Sequence, residues 1–286
     1  VAPALNAPQI LTHVATNIPE IDTAAAGIGG INIDLAGEQG IARQIPLLWS
    51  DGERFAPAMS VEALRVAQGA DTILVSSASD TENALESIRI GEFDVPVSES
   101  GMFFVHYRPN PTDLYVSAID VIESKSLEAL RGKIEGHIVF IGTSAVGILD
   151  VRTTELGETV PGVSIHAQAT EQMLTGRFLY RPDWAEMLEY FFVGLSGLAI
   201  AVAGAIYRPF ATFLLTAVLG LAYAGVATYA FRSPGVLFDV TFPLAALVLT
   251  YLASTAFRLV ITDRDGRNMR RMFGHYVAPA VLEDIE

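Results

Sequence analysis

The sequence predicts an α/β domain, a mixed sheet with helices, followed by an all-α bundle of three membrane-spanning helices and a linker helix. Two observations carry this. Near the C-terminus three apolar stretches, residues 187–207, 210–231 and 236–257, follow one another, 21, 22 and 22 residues long. Each is long enough to cross a hydrocarbon layer of ~30 Å as a helix rising ~1.5 Å per residue. Before them, short apolar or alternating runs are broken by turn residues, in the manner of a water-exposed domain. The expected divisions are residues 1–186, 187–257 and 258–286.

In order along the first part, residues 31–35 alternate like a strand, and residues 42–50 followed by Asp51-Gly52 read as a strand entering a hairpin turn. Residues 57–68, stopped by Gly69, read as a helix. Residues 72–76 and 102–107 are strand-like, and residues 117–124 and 126–130 look helical. Residues 137–141 form a short apolar run that predicts a buried central strand. Residues 161–175 predict a helix, with Pro161 in its first turn and Gly176 at its end. The spans are joined by Arg208-Pro209 and by Arg232-Ser233-Pro234-Gly235, breaker-rich turns suited to tight helical hairpins.

The net charge of −14 is lopsided. Residues 1–186 hold 11 Lys and Arg against 25 Asp and Glu, while residues 187–286 hold seven of each. An acidic domain of this kind speaks against nucleic acid as a partner, because phosphate binding needs a basic surface. There is no cysteine, which excludes disulfides, thiol catalysis and Cys-ligated metal. The chain opens on Val1, which reads as a processed or trimmed start, with any signal peptide or leading anchor upstream. Basic residues beside spans mark the cytoplasmic side. The two hairpins carry one arginine each, Arg208 and Arg232, and cancel; the five after the third span, Arg258, Arg264, Arg267, Arg270 and Arg271, decide. The acidic domain is therefore expected outside the cytoplasm and the C-terminal tail inside. Trp184 and Tyr190 fit an interfacial aromatic belt.

Within the spans, Asp239 reads either as a functional intramembrane carboxylate or as a hydrated helix-start residue. Thr216, Gly220, Ala224 and Thr228 form a small-residue stripe that admits another helix, in this chain or in a second copy. In the first domain, Gly142-Thr-Ser144-Ala-Val-Gly147 follows the apolar run, a place where α/β folds hold ligands. Ser144, with Asp150 and His166, invites a nucleophile reading that fails: G-x-S-x-G needs its second glycine one residue earlier. No Gly-Lys-Ser/Thr follows for a phosphate loop. Ser144, Asp150, Arg152 and His166 remain candidates for sensing a small ligand, and no residue is assigned a catalytic role. His166, inside an expected helix, and His106 read first as hydrogen-bonded core residues. The five histidines show no ligand spacing, so no metal site is expected.

Val139-Phe-Ile-Gly-Thr-Ser-Ala, then Asp150, Pro161-Gly-Val-Ser-Ile-His-Ala, Leu174-Thr-Gly and Arg181-Pro, together resemble the CHASE2 domain. Arg43-Gln-Ile-Pro-Leu, Pro96-Val-Ser-Glu-Ser-Gly101 and Phe103-Phe-Val-His-Tyr-Arg108 fit the same pattern, which covers most of residues 25–185. The resemblance implies an extracytoplasmic sensor of bacterial receptors, with three transmembrane helices after it, in the inner membrane. Where the family often has an acidic residue before Ile-His-Ala, this chain has Ser164. The tail, Arg270-Arg-Met-Phe273-Gly274-His-Tyr276-Val277-Ala-Pro279-Ala-Val281-Leu282, resembles the segment that precedes class III nucleotide cyclase domains.

Together the two resemblances imply the sensory and membrane part of a receptor adenylate cyclase, acting as a homodimer surrounded by membrane lipid. The signal would be an unidentified extracytoplasmic ligand or protein. Mg²⁺ or Mn²⁺ is expected in a catalytic domain after Glu286 and no cofactor in this chain, which should be inactive alone. Gly266, Phe273, Gly274, Tyr276, Val277 and Pro279 are the transduction candidates, Gly266 as an interruption of the linker helix. A histidine kinase or Ser/Thr kinase output, or a non-enzymatic sensor or scaffold, is the alternative.

Overall fold

The computed structural model describes residues 15–33, 40–50, 54–77, 84–109, 114–123, 127–144, 150–233 and 235–273. The chain divides into two compact units, Val1–Tyr180 and Arg181–Glu286. The first contains helix α1 (Pro19–Ala24), strands β1 (Ile41–Ala42), β2 (Gln44–Pro46), β3 (Leu48–Ser50) and β4 (Phe55–Pro57), and helix α2 (Met59–Gln68). Strands β5 (Ile73–Ser77), β6 (Leu85–Ile90), β7 (Phe93–Pro96) and β8 (Met102–Phe104) follow, then helices α3 (Ala118–Ile122) and α4 (Leu127–Ile134). Strands β9 (Val151–Thr154) and β10 (Thr159–Pro161) lead into helix α5 (Gly162–Thr175).

Among the described residues the strands make four small sheets, not one: β1-β9-β10, β2-β8, β3-β4 and β5-β6-β7. The single strand expected over residues 42–50 is instead a chain that changes partner twice. β1 lies parallel to β9, β2 is antiparallel to β8, and β3 is antiparallel to β4. Pro46 is paired with Met102 at a position where its missing N–H costs the ladder nothing, because the bonds fall on either side: Val105 N–H donates to Arg43 O at 3.0 Å and Leu47 N–H donates to Gly101 O at 3.3 Å. The expected hairpin is present as β3–β4, with Trp49 opposite Ala56; its turn, Asp51-Gly52, lies outside the described residues.

Residues 31–33 are not a strand, and 34–35 lie outside the described residues. The buried strand expected over residues 137–141 does not form: the segment is irregular, with Val139 51% and Ile141 92% exposed. An apolar run reports burial only where a neighbouring strand takes up its backbone groups. The β6–β7 hairpin was not read from sequence; it turns at Gly91, whose φ of +57° suits glycine.

Ile45, Leu64, Ile88, Phe103, Ile165 and Met173 centre the core. α2 begins at Met59 rather than at residue 57, because Ala58 is extended and bridges to Gly30. Its end is a glycine cap: Gly69 is left-handed, and the N–H groups of Gly69 and Ala70 satisfy Val66 O and Arg65 O. The chain before β1 crosses the start of α2 at contact distance. Gly30 N–H donates to Pro57 O, and Met59 N–H donates to Gly30 O, both at 2.8 Å. A Cβ on Gly29 would stand 2.6 Å from Met59 Cα, and one on Gly27 would collide with the Glu62 carboxylate. Arg65 ties the same place together by pairing with Glu62 at 2.7 Å and donating to Ala26 O at 3.2 Å. That pairing holds the guanidinium pKa above its ordinary value.

The second unit is three helices: α6 (Asp183–Ile206), α7 (Pro209–Arg232) and α8 (Thr241–Phe273). Asp183–Ile206, Pro209–Arg232 and Thr241–Val260 are each long and apolar enough to cross a membrane. Most of their large side chains, among them Leu195, Leu198, Leu221 and Leu249, point outward, as hydrocarbon surroundings permit. Phe192 stacks on Tyr223 at 4.6 Å, and Gly204 lets Ser254 approach to 3.0 Å of where its Cβ would be.

Two expectations change here. The third helix starts at Thr241, not 236, because Asp239 caps it: its Oδ1 accepts from the N–H groups of Thr241 at 2.8 Å and Phe242 at 3.2 Å. Gly266 does not interrupt the linker, since α8 runs unbroken through it to Phe273. A glycine costs a helix about 1 kcal/mol relative to Ala, too little to stop one already propagating.

Gly29→Ala should destabilise the protein by about 1–3 kcal/mol, since the Met59 backbone cannot yield as a flexible side chain would. Gly132→Ala, inside α4 with nothing within 4 Å of the new methyl, should be neutral or stabilising. Thermal unfolding of the detergent-solubilised chain followed by circular dichroism reads both.

Candidate functional site

The start of α5 gathers several polar groups: Asp150, Arg152, Ser164, Tyr115 and His166. β9 and β10 form an antiparallel hairpin closed by Gly157 at φ +75°, and Pro161 turns the chain from β10 into the helix. Gly162 N–H donates to Asp150 O at 2.9 Å. The Asp150 carboxylate lies against Gly162, in the space a Cβ would occupy. A carboxylate there lies at the positive end of the helix dipole, a favourable placement. Arg152 Nη2 stands 3.9 Å from Asp150 Oδ1. Within the first turn of α5, Ser164 Oγ and the Tyr115 hydroxyl share a hydrogen bond of 2.6 Å. Gly142 is a steric necessity: a Cβ there would meet Val163 at 2.6 Å.

His166 sits in the second turn with 2% of its surface exposed. Its Nε2 is 3.2 Å from Ile31 O, so the ring donates from Nε2 and leaves Nδ1 bare, and Nδ1 has no hydrogen-bond partner. Burial pushes its pKa below the ordinary histidine value, outweighing the Ile31 carbonyl and the Asp150 charge that pull it up. His166 is thus a neutral, hydrogen-bonded core residue that binds α5 to the chain before β1.

Of the four sensing candidates, Asp150, Arg152 and His166 are brought to the first two turns of α5 and their approach. Ser144 is exposed at the edge of a loop whose next residues, 145–149, lie outside the described residues. Sequence reading missed the residues that hold α5 in place. Gln172 Oε1 accepts from His106 N–H at 2.8 Å, and its Nε2 donates to Phe104 O at 3.0 Å. Gln168 Oε1 accepts from Arg108 N–H at 3.2 Å, and Arg108 pairs with Glu171 at 2.8 Å. These two buried glutamines act as a strand edge for the backbone after β8. The signal was a pair of glutamines four apart on the buried side of the helix.

In the second unit, Thr216, Gly220 and Ala224 turn towards α8 of the same chain and line an apolar groove of about 600 Å³ with Leu244, Leu247, Val248 and Tyr251. Thr216 donates to Thr212 O at 2.9 Å; Thr228 is exposed and donates to Ala224 O at 2.7 Å. Gly266 and Phe273 belong to α8, while Gly274, Tyr276, Val277 and Pro279 lie outside the described residues. Among the described residues no group of three His, Asp or Glu is placed to hold a metal.

The depressed pKa of His166 fixes the sign of a pH effect. The unfolded chain takes up the proton near pH ~6.5 and the folded chain only at lower pH, so stability is full above ~6.5 and falls as pH drops below it. The loss reaches up to about 1.4 kcal/mol per pH unit until the folded form also protonates. His166→Gln should flatten that slope between pH 7 and 5 in thermal unfolding of the full chain.

Comparison with known proteins gives one result. The CHASE2 domain family matches residues 3–204. No curated protein and no solved structure matches. That match spans well over half of the 286 residues and takes in the α5 site and most of α6. The chain belongs to the CHASE2 family, the extracellular sensor domains of signalling receptors.

Proposed function

We propose that this chain is the sensory and membrane part of a receptor adenylate cyclase, passing an extracytoplasmic signal to a cytoplasmic domain that makes cyclic AMP from ATP. The observation that carries the reading is α8. Its apolar segment ends at Val260, yet the helix continues to Phe273 without a break. At ~1.5 Å per residue, the last 13 residues extend about 20 Å past the apolar segment. A helix continuous across that boundary carries a shift or rotation made at its outer end directly to whatever follows. The arginines from Arg258 onward favour the cytoplasm for that end, and the resemblance of the segment from Arg270 to the approach of class III cyclase domains supports a cyclase output. The output domain would act as a homodimer using Mg²⁺ or Mn²⁺, and the receptor would reside in a bacterial inner membrane with the first unit outside.

The absence of cysteine makes sidedness directly measurable. With single cysteines at Leu74 or at Arg267, an impermeant maleimide applied to intact cells should label the first and spare the second until the membrane is opened. Labelling of both, or of Arg267 alone, removes the receptor topology. The purified 286-residue chain should make no cyclic AMP from ATP and Mn²⁺, whereas the gene product carrying residues beyond Glu286 should. A kinase activity in that longer product would replace cyclase with the kinase output.

A further inference from the structure

A buried carboxylate on α6 bonds the segment that leads into α8. Glu189 lies six residues into α6, in a segment apolar enough for a membrane, and is 3% exposed. Its Oε2 accepts from Arg181 Nη2 at 2.8 Å; its Oε1 accepts from the backbone N–H of Asp239 at 2.7 Å. The carbonyl of the same Asp239 accepts from the Tyr223 hydroxyl of α7 at 2.6 Å, and its carboxylate caps α8. One peptide segment, just before α8, is thus gripped by α6 from one side and by α7 from the other. The α6 grip shares its carboxylate with Arg181, the first residue of this unit.

We propose that Glu189 is a positioning residue that couples Arg181, in the connection from the sensor unit, to the outer end of α8. Its role is distinct from packing. A carboxylate buried among apolar helices is costly unless fully paired, and here its two oxygens are divided between two different elements. If Arg181 moves, the carboxylate loses its counter-charge, and the Asp239 N–H loses the orientation of its acceptor. α8 is then released at its cap, the point from which its unbroken 33 residues start. The inference rests on the receptor reading for its purpose, but not for its geometry.

The test uses the full chain in lipid nanodiscs with paired spin labels on introduced cysteines, at Met187 and Ala245 near the outer ends of α6 and α8. A second pair, at Ile206 and Phe257, reports the inner ends. Glu189→Ala should shift or broaden the outer distance distribution while the inner pair changes less. Glu189→Gln, which keeps an oxygen for the Asp239 N–H but loses the charge pair with Arg181, should leave the outer distribution between the parent and Glu189→Ala. Tyr223→Phe, a milder change, should broaden it less than Glu189→Ala. An outer distribution unchanged in Glu189→Ala, or as broad in Glu189→Gln as in Glu189→Ala, overturns the proposal.

The Arg181 arm is read by melting temperature. Arg181→Ala and Glu189→Gln should each lower it, and the double variant should fall no further than the lower single one; additive losses overturn the coupling. Neither readout involves an output domain. A failed cyclase assay therefore leaves this result standing, and the reverse also holds.

Discussion

Hydrocarbon offers no hydrogen bonds, and the second unit is arranged around that deficit. α6, α7 and α8 satisfy their backbones internally, and hydroxyls of Ser196, Thr212, Thr216, Thr228 and Thr250 bond back to carbonyls a turn earlier. The places where helices start are where the deficit bites. Before α8 the chain runs irregularly through residues 237–240, and Asp239 there exposes N–H and C=O groups outside any helical ladder. Glu189 accepts from one such N–H, the Tyr223 hydroxyl donates to one such C=O, and the Asp239 side chain accepts from two N–H groups at the start of α8. The irregular segment is tolerated because polar side chains from two neighbouring helices close it.

The first unit solves a related problem differently. Its strands are two to six residues long and fall into four sheets among the described residues, so no continuous sheet organises it. α5 takes over that role. Gln168 and Gln172 present amide groups where a strand edge would stand, Thr170 donates to Ser60 O at 3.2 Å, and His166 reaches Ile31. The helix therefore touches the segment before β1, the start of α2 and the segment after β8. Anything that shifts its first turn, which holds Ser164 and lies against the Asp150 carboxylate, is felt across the unit. That places the candidate ligand contacts on the element best connected to the rest.

The family match over residues 3–204 adds to this by covering the whole first unit and most of α6. The matched region does not stop at the last residue of the α/β part. It continues through Arg181 and Glu189, the ion pair that fixes the entry into the helices. Sensor and first helix are thus one family unit in sequence.

Length and composition decided the large divisions of this protein. Three uncharged or nearly uncharged stretches above 20 residues have few other fates than membrane helices, because the cost of burying backbone in lipid leaves only that geometry. The helices α2 and α5 were legible for a local reason: Gly69 and Gly176 mark their ends in left-handed conformations that glycine alone adopts cheaply. Strand partners were not legible. Residues 42–50 read as one strand and became three, and residues 137–141 read as buried and are exposed, since which backbone meets which is set by non-local geometry. Likewise Glu189 was assigned no role from sequence, and Asp239 read as a choice between two. Only the folded arrangement brought Arg181, Glu189, Tyr223 and Asp239 within hydrogen-bond reach of one another, because pairing across 50 residues of sequence leaves no periodic trace in it.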